Sequence, residues 1–197
     1  MRRVFELGGL VSGVILVLFG IAVIALALNG RSTVRSELKQ QRIVGTPDMT
    51  PEAIKDEADK AGLVGVALPD CTVAGDAVND GSRARCFADY MRVHALEASG
   101  GKVYAELPRY ATDDGKGTND PAAATKSGNG QPADNPTRDV WITETSLSTA
   151  LNMAYMAEQL ALFSLVVGIA LLLTGIGFIV LSIGGAIRRG DDTAEAV

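Results

Sequence analysis

Three side chains in this sequence have chemistry beyond ordinary acid, base and amide groups: Cys71, Cys86 and His94, the only cysteines and the only histidine in the chain. The two thiols bracket the stretch CTVAGDAVNDGSRARC. A thiol pair can serve as a redox couple, as metal ligands or as a structural disulfide. Redox couples favour the C-x-x-C spacing, which is absent, and no pair of histidines stands near enough to complete a zinc site. A loop-closing disulfide is therefore expected, provided that the segment lies in an oxidising compartment.

His94 could act as a general base or a metal ligand. It falls on a stripe with Phe87, Tyr90, Met91 and Ala98 at helical spacing, which reads more simply as a packed or half-exposed face. A non-haem iron triad needs two histidines and a carboxylate, and catalytic zinc sites also draw on several ligands. No G-x-S-x-G elbow, phosphate loop or dinucleotide fingerprint occurs, and the carboxylates are scattered at ordinary surface frequency. No catalytic residue, cofactor-binding residue or metal ligand is assigned, and a non-enzymatic protein is expected.

The elements that position these residues are set by two apolar runs. Residues 7–28 and 159–187 carry no charged side chain, and each is long enough for a hydrocarbon core that needs roughly 20 helical residues. The expected architecture is a two-helix transmembrane hairpin with a small extracytoplasmic α+β domain, residues 29–158, inserted between the spans. A signal-peptide core has only about 7–15 apolar residues, so the first run is expected to be an uncleaved anchor despite its Ala25-Leu26-Ala27.

Arg2 and Arg3 before the first span, and Arg188 and Arg189 after the second, predict a cytoplasmic N-terminus (1–6) and a cytoplasmic tail (188–197) of a multi-pass plasma-membrane protein. Tails of that length are expected to leave no room for a signalling domain. Glu6 beside the four arginines reads as an interfacial charge cluster. Arg31, Arg35, Lys39 and Arg42 dissent from that orientation, but long loops translocate with little regard to charge. With the inserted segment outside, Cys71 and Cys86 can persist as a disulfide closing loop 71–86, worth about 3 kcal/mol in the chain-entropy account.

From Asn29 to Glu158 there are 14 Lys plus Arg against 19 Asp plus Glu. An acidic domain without a basic stripe is unsuited to nucleic acid. Thr50-Pro51-Glu52 predicts a helix start and Gly62 its stop, and residues 82–99 predict a second helix ended by Gly100-Gly101. Residues 63–68 (LVGVAL) read as a short buried strand. Residues 102–107 (KVYAEL) and 139–143 (DVWIT) read as a β-hairpin whose tip, about 112–137, is a disordered linker. Leu147, Leu151, Ala154 and Glu158, facing Val34 and Leu38, suggest a short helical stalk.

The spans carry the most specific spacing. Gly9, Gly13, Gly20 and Ala27 in one, and Ser164, Gly168, Gly175 and Ser182 in the other, stand at the same offsets of 4, 7 and 7 residues. Helices in lipid gain no hydrophobic push from one another, so small residues that let backbones approach mark packing seams. The seams are expected to meet each other; docking of another membrane protein or a second copy is the alternative. Neither core holds an ionisable residue, which excludes a transporter or channel built from this chain alone.

The stretches RRVFELGGLVSGVILVLFGIAVIALALNGRSTV, IVGTPDMTPEAIKDEADKAGL, ARCFADYMRVHALEASGGKVYAELPRY and MAEQLALFSLVVGIALLLTGIGF resemble an uncharacterised family of small actinobacterial two-span membrane proteins. Its members often carry an automatic label of aromatic ring-opening dioxygenase. That chemistry uses iron held by more than one histidine, so the resemblance implies a bacterial source and carries over no catalytic residue. Two functions follow as expectations: a structural or accessory membrane subunit, or an extracytoplasmic binding module coupled to a membrane partner.

Overall fold

A computed structural model describes residues 2–184, with side chains described from residue 6. The expected cytoplasmic tail, Arg188 and Arg189, and the end of the second span at Ile187 lie outside the described residues, as do the Arg2 and Arg3 side chains. The chain orders as α1 (Arg2–Gln41), α2 (Pro51–Lys60), α3 (Gly81–Ala98), a 3-10 turn (Tyr104–Glu106) and α4 (Pro136–Gly184). It divides into two compact units, one of Met1–Val34 with Ala157–Val197, the other of Arg35–Met156.

In the first unit, the apolar parts of α1 and α4 are both long enough to cross a membrane, and only 17% and 11% of their most apolar windows is buried. Large side chains point away from the helix pair: Leu26 is 71% exposed, Phe163 65% and Phe19 63%. What the pair does bury is small. Within the described parts of the apolar runs, Gly13, Gly20 and Ala27 on α1, and Gly168 and Gly175 on α4, are the buried positions, one every seven residues. That repeat keeps one face toward the neighbour along the length of each helix.

The second unit is helical, and this corrects the expectation of an α+β domain. Among the described residues there are isolated β-bridges but no named strand. The supposed strand at 102–107 is largely the 3-10 turn, and the one at 139–143 lies within the first turns of α4. In 63–68, Val64 is 95% exposed, so that run is not a buried strand either. The β-rich composition of DVWIT loses to a helical face on which Trp141, Glu144 and Leu151 are buried.

Local chemistry explains each helix start. The Thr50 hydroxyl accepts from the Ala53 amide with Pro51 in the first turn, and the Asp80 carboxylate accepts from the Arg83 amide. Asn135 repeats the device for α4: its side-chain oxygen accepts from the Thr137 amide, and Pro136 opens the helix. Gly62 closes α2 with φ +69°, a left-handed conformation that glycine adopts without cost.

The core gathers on α3. Tyr90, Val93 and Phe87 are buried with Ile54 and Ala58 from α2, Met49 from the preceding loop, and Val73 and Val78 from inside loop 71–86. That loop is therefore packed rather than bare. Its residues pair with 43–45: Val78 donates to the Ile43 carbonyl, Gly45 to that of Asp76 and Gly75 to that of Gly45. A second cluster joins Ala95, Leu96, Leu107 and Trp141, with Leu63, Val66 and Val103 against it. The Trp141 indole donates to the Lys102 carbonyl at 3.0 Å.

The stretch expected as a disordered linker is instead a hydrogen-bonded loop. Ala111 donates to Ala133, Ala133 to Thr125, and Thr125 back to Ala111; Tyr110 and Thr118 exchange bonds in both directions. Asx and hydroxyl side chains close the turns between them, as Asp114, Asn119 and Asn129 do in accepting from the Lys116, Arg109 and Gln131 amides.

At Gly45 a Cβ would overlap the Val73 carbonyl, whereas one at Gly128 would meet nothing. Gly45→Ala is expected to cost at least about 1–3 kcal/mol, the usual scale of overpacking, and Gly128→Ala less than about 0.5 kcal/mol. Thermal unfolding of the detergent-solubilised chain followed by circular dichroism checks both.

Candidate functional site

The site residues named from the sequence fall into two places. The small-residue seams meet each other, antiparallel. A Cβ on Gly13 would lie 2.8 Å from the Gly175 carbonyl oxygen, and one on Gly175 would lie 2.7 Å from that of Gly13. The same reciprocity holds between Gly20 and Gly168, at 2.8 and 3.1 Å. Gly9 faces the Ser182 hydroxyl, Ala27 is buried and Ser164 half-buried. Contacts at these distances leave no room for any side chain, so Gly20 and Gly175, which an outward-facing seam would expose, are internal. Among the described glycines of the spans, Gly8 and Gly177 have open space around them.

Beyond the seams, Arg31 and Glu158 form an ion pair, Nε to Oε1 at 2.7 Å, in which the Glu158 side chain is 9% exposed. A buried carboxylate needs such a partner. One of the positive charges that dissent from the expected orientation is thus spoken for.

The disulfide is formed: Cys71 and Cys86 are bonded, with Cα atoms 6.1 Å apart, and no free cysteine occurs. The bond ties α3 to the loop before it, and the Tyr90 hydroxyl donates to the Cys71 carbonyl beside it. Burial pushes the Tyr90 phenol above its usual range, helped by Glu52 and Asp70. Burial also raises the Asp89 carboxyl, against the pull of Arg85.

His94 is not simply a packed residue. Three carboxylates from three segments surround its ring: Asp48 Oδ2 is 3.4 Å from Nε2, Glu57 Oε2 is 3.6 Å from Nδ1, and Glu97 Oε2 is 4.0 Å from Nδ1. Asp48 comes from the loop before α2, Glu57 from α2, and Glu97 lies one turn along α3 from His94. The Asp48 carboxyl is held below its usual range, chiefly by the Thr46 side chain and then by its own backbone amide and His94, against burial. Sequence reasoning missed this constellation. Only the His94–Glu97 spacing was visible along the chain, since Asp48 precedes His94 by 46 positions.

The same histidine lines a groove of about 530 Å3 with Met91, Ala95, Ala98, Val140 and Glu144, the last buried. Glu144 accepts from the Thr145 and Ser148 hydroxyls. Nearby arginines are engaged: Arg138 covers the Tyr104 ring at 4.0 Å and donates to the Leu107 carbonyl, and Arg92 covers Trp141 at 5.7 Å.

Comparison of the chain with protein-family models, curated proteins and solved structures finds no match.

Replacing Cys71 and Cys86 together by alanine is expected to cost about 2–5 kcal/mol, the range for a native disulfide in a small domain. Unreduced protein should carry no free thiol and reduced protein two, counted by alkylation and mass spectrometry.

Proposed function

We propose that this chain is a non-catalytic membrane protein that displays the Arg35–Met156 unit on the outer side of the plasma membrane as a structural or accessory subunit. The observation that carries this reading is the pairing of the seams. The two apolar helices spend their small residues on each other and leave bulky side chains exposed, as lipid-facing helices do and core helices of a water-soluble protein do not. A disulfide in the other unit suits an oxidising exterior, with both termini in the cytoplasm.

With the seams closed internally, a membrane partner or a second copy would have to engage the outer faces of the helices or the exterior unit. A binding role for that unit is the second reading, favoured by the groove beside His94. Either role is compatible with an acidic surface and without nucleic acid.

Orientation is tested by single cysteines in a Cys71→Ala, Cys86→Ala background. One at Gly128 should react with a membrane-impermeant reagent on intact cells and one at Thr193 should not; the reverse pattern overturns the topology. Packing is tested by leucine substitutions. Gly13→Leu or Gly168→Leu should reduce membrane abundance severalfold and expose the chain to protease. Gly8→Leu and Gly177→Leu should preserve abundance, and loss of a co-purifying protein in either would place the partner on that outer face.

A further inference from the structure

We propose that Asp48, Glu57 and His94 form a binding site for a divalent transition-metal ion of the zinc class. One donor atom from each residue lies within 4.8 Å of the others, and all three residues are half-buried. Donors placed about 2.0–2.2 Å from a tetrahedral zinc ion stand roughly 3.3–3.6 Å from one another. The separation of His94 Nε2 from Asp48 Oδ2, 3.4 Å, already has that size, while Glu57 stands 3.6 Å from the other ring nitrogen, Nδ1. The two carboxylates meet different ring nitrogens, so one must swing to share an ion. The Glu57 side chain, 30% exposed on the surface of α2, has the freedom to do so.

Electrostatics favours the cation. Asp48, Glu57 and Glu97 place three carboxylates about one imidazole, which can supply at most one positive charge. At 3.4–4.0 Å these contacts are too long for good hydrogen bonds, so the ring does not close the cluster as a hydrogen-bonded network. With Nε2 on the ion, Nδ1 faces Glu97, the kind of carboxylate that fixes a ligating imidazole's tautomer and orientation.

The donor set selects the ion. Calcium and magnesium prefer oxygen alone, while one imidazole with two carboxylates suits zinc, and the general affinity order places zinc above manganese and iron. Three protein ligands leave a fourth position open, and His94 also lines the groove of about 530 Å3. A bound ion would therefore stand at the edge of a cavity able to admit an anionic or nitrogen-bearing ligand.

The test uses the full chain in detergent, stripped with a chelator and titrated with zinc chloride by calorimetry, with calcium and magnesium chlorides in parallel. One zinc per chain is expected, with a rise of several degrees in melting temperature. His94→Ala and His94→Gln should each weaken binding at least tenfold and abolish the thermal shift, with circular dichroism unchanged. Glu97→Gln should weaken it less, and Asp56→Asn, an exposed acid on α2, not at all. Absence of zinc uptake by the wild-type chain overturns the site, as does equal uptake by wild type and both His94 variants. Calcium binding as tight as zinc, insensitive to His94, would show a non-selective acidic surface and overturn it too. Should both variants lose their helical signal, zinc protection of the wild-type His94 ring from diethyl pyrocarbonate decides, and unprotected reaction overturns the proposal.

Discussion

The helix pair of the first unit rests on backbone meeting backbone. At Gly13, Gly20, Gly168 and Gly175 the partner's carbonyl occupies the place a methyl group would need. Such contact gains dispersion along the whole seam and loses almost no side-chain entropy, which matters where lipid supplies no hydrophobic push. It also fixes register. Ile169 and Ile176 follow Gly168 and Gly175 directly in the chain, so a shift of register by one residue would put a bulky side chain where a glycine now stands. The seven-residue spacing then does for small residues what it does for leucines in a coiled coil, with the roles of size inverted.

The second unit solves a different problem, because it has little regular backbone pairing to rely on. Its order comes from α3, which carries buried residues on more than one face, and from loops clamped onto it by the disulfide and the 43–49 segment. The loop closed by Cys71 and Cys86 contributes Val73 and Val78 to the core, so the covalent bond and the packing reinforce one another. Removing chain entropy from the unfolded state is worth most where the folded contacts are few.

What could be read from the sequence was local and periodic. The Thr50-Pro51 cap and the Gly62 stop are short-range patterns with one physical meaning each, and they stand as expected; the seams are periodic, and their glycines face one another across the helix pair. The strands were misread because β-branched and aromatic residues were weighted above Asn135-Pro136, a helix start of the same kind as Thr50-Pro51. The linker expected at about 112–137 was misread because its order is polar: Asp, Asn and Thr side chains satisfy neighbouring amides, which hydropathy cannot register. The His94 constellation was illegible because two of its carboxylates, on Asp48 and Glu57, arrive through tertiary folding from segments that show nothing unusual alone.

The Arg31–Glu158 pair bears on how the charges of the chain are to be weighed. Read as a string, Arg31 opens a group of four basic residues just past the first apolar run, on what the proposed orientation makes the outer side, where positive charge is disfavoured. In the fold its guanidinium is held 2.7 Å from a carboxylate that is itself nearly buried. Glu158 closes the charged segment on α4 as Arg31 opens it on α1, so the two mark the same level of the helix pair from opposite ends of the sequence. The bias that orients a span counts Lys and Arg near its ends and takes little account of Asp or Glu, so the pair does not remove Arg31 from that count. Its effect lies in the fold, where a nearly buried carboxylate beyond the apolar seam is held without an unpaired charge.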